Sequence, residues 1–140
     1  NIQDYYWKIS PDGEVDTEGG LYLSSNDLAK IGYLFLKKGK WEGKQVISSK
    51  WVEESITPIV DYATRKGSIN IGYGYQWWIE RHKNNRAEVY SGHGYGGQYV
   101  MIAPDHDLMV VFNGWNIHDQ PLKNTKFVLE QRLIPALIAK

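Results

Sequence analysis

Between Ser91 and Gly114 the chain reads SGHGYGGQYVMIAPDHDLMVVFNG, with a single histidine, His93, in a run holding Gly92, Gly94, Gly96 and Gly97. Glycine lacks a Cβ, so backbone there approaches a ligand closely or takes positive φ, and an apolar strand on each side would hold that backbone still. This pattern reads as the edge of an active site. The plainer alternative for His93, from residue type alone, is a turn histidine bonded to a nearby carbonyl. The glycine run is not a phosphate loop, because a strand follows it where such loops lead into a helix N-terminus. His82, His106 and His118 lie in or near polar turns without the i, i+4 spacing of a zinc pair, and Asp105-His106-Asp107 is explained by a Pro-Asp turn. No metal and no cofactor is called for.

The elements that must position His93 can be traced along the chain. Ser24, with Asp27 three residues on, forms a capping box for a helix over about 25–38, whose apolar face is Leu28, Ile31, Leu34 and Phe35 and whose end is marked by Lys37, Lys38 and Gly39. Ser48 or Ser49 caps a shorter helix, KWVEESI, stopped by Pro58. Residues 59–70 read as loop. From Ile71 the period becomes two, giving strands near 73–80, 87–92, 98–103 and 108–113, with turn chemistry at Asn84-Asn85 and Pro104-Asp105. Tyr73, Tyr75, Trp77 and Trp78 then alternate along one strand. A last helix after Asp119 and Pro121 carries Leu129, Leu133, Ala136 and Leu137 on one face, with Pro135 as a kink. The order predicts an α+β fold: an antiparallel β meander with its helices on one face.

Length bounds the rest. A chain of 140 residues makes one domain and buries about two thirds of its extended-chain surface. Sixteen basic and sixteen acidic side chains cancel. The footprint of a nucleic-acid or anionic-membrane binder is therefore missing. Absence of cysteine removes disulfides, thiolate catalysis and cysteine zinc sites. Six Trp and ten Tyr are many for this length and are expected in the core or on cleft walls. The chain opens at Asn1 directly in a foldable aromatic run, DYYWKIS, as it would if a segment were missing upstream.

Four strings, in order, resemble the serine β-lactamase-like hydrolases, the family of class C β-lactamases, related penicillin-binding peptidases, β-lactamase-fold esterases and aminohexanoate-oligomer hydrolases. They are GGLYLSSNDLAKIGYLFLKKGKWEGKQVISSKWVEE, YGYQWW, GHGYGGQYVMIAPDHDLMVVFNG and RLIPALI. The resemblance implies acyl-enzyme chemistry on an amide, lactam or ester: a serine nucleophile with a lysine three residues on, a Y-x-N or S-x-N proton relay, and a K-T-G-type strand that gives a backbone N–H to the oxyanion. No serine here has a lysine three positions on, and no tyrosine has an asparagine two positions on. Ser24-Ser25-Asn26 and Ser68-Ile69-Asn70 match S-x-N by letter, but capping explains the first and a loop the second.

His93-Gly94-Tyr95 lies where the family has K-T-G, with Gly96 and Gly97 beside it for substrate contact. Tyrosine stands where the motif has glycine and histidine where it has lysine. Backbone polarisation of a carbonyl survives that change, whereas carboxylate recognition by lysine does not carry over, which favours an ester or small amide over a penicillin-type substrate. The resemblance thus implies that residues 1–140 are a C-terminal segment, inert alone, whose partners are an acyl substrate and the N-terminal part of the same polypeptide. It favours a periplasmic, secreted or envelope-associated location. A segment folding alone would bare apolar surface, so dimerisation or strand exchange is expected. The competing reading is a non-catalytic module that binds a glycan or peptide on exposed aromatics.

Overall fold

The computed structural model describes residues 2–62, 69–82, 88–115, 125 and 127–138. A two-stranded ribbon, β1 (Tyr5–Trp7) with β2 (Leu21–Leu23), leads into helix α1 (Ser25–Leu36). The Ser24 hydroxyl accepts from the Asp27 N–H at 3.1 Å and donates to the Asp27 carboxylate at 2.8 Å, so the cap lies where its spacing places it. The helix ends at Leu36, two residues before the expected end, because Lys38 already takes a left-handed φ of 51°. Strands β3 (Lys40–Trp41) and β4 (Lys44–Gln45) form a hairpin, and Ser48 caps α2 (Ser49–Ser55) through the Trp51 N–H.

Six strands follow in one antiparallel sheet, β5 (Val60–Tyr62), β6 (Ile69–Tyr73), β7 (Trp78–His82), β8 (Val89–His93), β9 (Tyr99–Ala103) and β10 (Leu108–Phe112), each paired with its sequence neighbour. The meander is therefore as expected, with two additions. Residues 59–70, read as loop, contain β5 and the start of β6. The expected strand at 73–80 is two strands joined by a turn, since Tyr73 pairs with Trp78. Gly74 explains that turn: a Cβ there would stand 2.2 Å from the Ser55 carbonyl oxygen, so only glycine lets the chain dock against the end of α2. The Tyr75 N–H then donates to the same Ser55 carbonyl at 2.9 Å. Asn84-Asn85, His118 and the residues around Asp119 and Pro121 lie outside the described residues.

Strand β9 is buried along its whole length, and its residues divide between two cores. Tyr99, Met101 and Ala103 pack with Val89, Leu108, Val110, Phe112 and the C-terminal helical segment through Leu129, Leu133 and Ile134. Val100 and Ile102 pack with Trp77 and with Leu28, Phe35 and Leu36 of α1. Helices thus cover both faces, not one, because a strand apolar on both sides needs two covers. In the C-terminal segment, Leu129–Leu133 is π-helical and runs into α3 (Ile134–Ile138). The Ile134 N–H reaches back to the Leu129 carbonyl, five residues away, just before Pro135, which has no N–H to give. That wide turn advances the face by one residue. Ile134 therefore packs inward, while Ala136 and Leu137, expected on the buried face, are exposed.

Candidate active site

His93 is the last residue of β8, and the glycine turn begins immediately after it. Cross-strand register sets Trp78 opposite Ser91 and His93 opposite Tyr99, so alternation puts all four side chains on the face that the C-terminal helix covers. The His93 ring stacks on Trp78 with centroids 5.5 Å apart and an interplanar angle of 14°. Tyr99 meets the imidazole edge-on at 4.9 Å, and Tyr73 meets Trp78 in the same manner, also at 4.9 Å. Burial pushes the Tyr99 phenol up from its ordinary pKa, so that hydroxyl stays protonated at neutral pH. The Ser91 Oγ lies 2.7 Å from His93 Nε2.

This distance matches a nucleophile bonded to its base. Burial rules that role out for the described conformation: Ser91 is 1% exposed, and no acyl carbon reaches its oxygen.

Only His93 of the expected His93-Gly94-Tyr95 motif is on the strand; Gly94 and Tyr95 belong to the turn. The Gly94 N–H donates to the Gln98 carbonyl at 2.7 Å and the Gly97 N–H to the Gly94 carbonyl at 3.4 Å. Among the described residues, the N–H groups of Tyr95 and Gly96 have no backbone acceptor. Gly96 and Gly97 take φ of 99° and 103°, a region side chains avoid, which is why the turn is built of glycine. The turn rests on Gly114: a Cβ there would lie 3.0 Å from the Gly97 carbonyl oxygen and 3.1 Å from that of Gly96, and the Gln98 amide donates to the Gly114 carbonyl. Tyr95 points away, 80% exposed.

The structure therefore joins His93 and the Gly94–Gly97 turn in one place and adds Ser91, Trp78 and Tyr99. The Ser91–His93 pair had a sequence signal, the two-residue spacing of side chains on one strand face. Trp78 and Tyr99 had none, since their approach depends on which strands pair. Among the described residues, no three His, Asp or Glu side chains converge as a metal site would require. No described helix is long and apolar enough to cross a membrane. A cavity of about 360 Å³, lined by residues including Tyr33, Trp41 and Met109, sits on the opposite, α1 side of the sheet.

The α+β fold, an antiparallel meander covered by helices, is that of the β-lactamase-fold hydrolases. The Beta-lactamase family model matches residues 3–130, and the chain belongs to that family. An uncharacterized protein of Alkalihalophilus pseudofirmus is 29% identical over 119 residues, 77% of this chain and 33% of that protein. A 6-aminohexanoate-dimer hydrolase of Paenarthrobacter ureafaciens is 31% identical over 98 residues, 66% of this chain and 24% of that enzyme. Among solved structures, a Bacillus anthracis protein provisionally named a 6-aminohexanoate-dimer hydrolase superposes with a TM-score of 0.70 at 22% identity, over 95% of this chain and 33% of that one. This chain spans a third or less of the length of each of these three proteins.

Proposed function

We propose that this chain is the C-terminal part of a serine hydrolase that cleaves an amide, lactam or ester through an acyl-enzyme, and that it is inert alone. The observation that carries this reading is His93 at a glycine turn whose Tyr95 and Gly96 N–H groups have no backbone acceptor among the described residues, in a family member that has no serine–lysine pair of its own. In the proposed reaction, a serine oxygen from the rest of a longer polypeptide attacks the acyl carbon. The carbonyl oxygen takes up negative charge facing the Tyr95 and Gly96 N–H groups, the amine or alcohol leaves with a proton, and water then releases the acid. Gly94 serves the turn, not the oxyanion, because its N–H is already bonded to Gln98. The glycines at 96 and 97 leave room for the acyl group.

A linear amide or ester suits the site better than a penicillin-type lactam, because no lysine stands at the position of His93 to meet a carboxylate. The relative named for hydrolysing the aminohexanoate dimer supports the linear amide. Work outside the cytoplasm belongs to the same reading. Hydrolysis of nitrophenyl esters and aminohexanoate amides tests it: turnover is expected from the longer polypeptide and not from residues 1–140 alone. Turnover by the 140-residue chain with nothing added would overturn it.

A second reading has its own observation. Tyr6 and Tyr22 are 61% and 60% exposed and face each other across the β1–β2 ribbon with ring centroids 5.6 Å apart, a surface on which a sugar or peptide stacks in this reading. Saturable quenching of tryptophan fluorescence by cell-wall sugars or peptides would favour this binding module, and no response across a broad panel would retire it.

A further inference from the structure

We infer that Ser91 is a positioning residue of His93, holding the ring Nε2 toward the protein; the inference rests on the reading that His93 belongs to the hydrolase site. Trp78 below the ring and Tyr99 at its edge fix the plane of the imidazole. Neither tells the two flipped orientations apart, because stacking and edge contacts are nearly indifferent to an exchange of nitrogen for carbon within the ring. A directional bond does tell them apart. The Ser91 Oγ, 2.7 Å from Nε2, is satisfied only in one of the two.

The hydroxyl is held as firmly as the ring. Ser91 lies in the middle of β8, paired to Trp78 on one side and to Met101 on the other, and is 1% exposed. Water therefore does not replace it. Its bond commits Nε2 to the protein whichever of the two partners donates, as an outer-shell partner does for a histidine at a reacting centre. A serine serves here because alternation puts residue 91 on the face of residue 93 and because the oxygen is short enough to reach back along the strand.

The test uses the longer polypeptide, with four variants and one spectroscopic measurement. Ser91→Ala is expected to lower kcat/KM by about tenfold, chiefly through kcat, and Ser91→Thr, which keeps the hydroxyl, to restore most of it. In a His93→Ala background, adding Ser91→Ala should cost nothing more. In the nitrogen-15 spectrum, Ser91→Ala should move the His93 Nε2 resonance or split the ring into two exchanging forms. Additive losses, or an unchanged Nε2 resonance in Ser91→Ala, would overturn the inference. If His93→Ala leaves turnover intact, the catalytic reading of His93 fails, while the Nε2 resonance still decides whether Ser91 holds the ring. Should Ser91→Thr fail to fold, the double variant and the spectrum decide alone.

Discussion

Trp78 and His93 stack nearly parallel, their planes 14° apart, although they are diagonal neighbours on β7 and β8 and not directly opposed. A diagonal pair is within reach only of large side chains, so the indole spans the gap and forms the floor on which the imidazole lies. Such a contact is worth about 0.5–1.5 kcal/mol. Replacement of Trp78 by leucine should therefore lower kcat/KM of the longer polypeptide by about three- to tenfold. Trp78→Phe, which keeps a ring, should lose less, and steady-state kinetics of the two variants compare them.

The glycine turn separates strain from chemistry. Gly97→Ala forces a side chain into φ near 103° and should cost about 1–2 kcal/mol of stability together with most of the activity. Gly43→Ala, at the tip of the β3–β4 hairpin with φ 78° and open space around it, carries a similar backbone penalty away from the site. Thermal melting should move alike in both, and turnover should fall only in the first.

Acid sensitivity has a local source in the α1 cap. The Lys30 ammonium, bonded to Asp27 at 2.6 Å, and then the Ser24 hydroxyl hold the Asp27 carboxyl below its ordinary pKa. A carboxylate depressed in the folded state stabilises fully above its unfolded pKa, and that contribution is lost as pH falls through the folded value. Melting temperature should therefore drop on acidification, and less steeply in Asp27→Asn over the same range.

Strand β10 reads LMVVF, carries no charge, and among the described residues has β9 on one side only. Such an edge is a template for another strand. The 140-residue chain should therefore pair with a second copy as its concentration rises, antiparallel about Val110. Light scattering that shows a strict monomer across a hundredfold range of concentration would contradict this.

The elements with local chemistry were legible in the sequence. Ser24 and Ser48 cap helices because a hydroxyl before an apolar helical face satisfies backbone N–H groups whatever else the fold does, and the apolar β-forming runs YVMIA and LMVVF marked two strands. What was not legible depends on distant groups. The YGYQWW run suggested one strand, but the end of α2 sits against Gly74 and turns the chain there. Phase in the last helix was missed because the π-helical turn before Pro135 shifts it by one residue. At the site, His93 and its glycines stood out by type, whereas Trp78 and Tyr99 joined them only through strand register.

Whether the nucleophile lies outside this chain is decided by labelling with a fluorophosphonate probe. Intact mass and peptide mapping would be read on residues 1–140 and on the longer polypeptide. One adduct is expected on the longer polypeptide, at a serine that precedes a lysine by three residues, and none on the 140-residue chain. An adduct on any serine within residues 1–140, Ser91 included, or no adduct on either, would contradict this expectation.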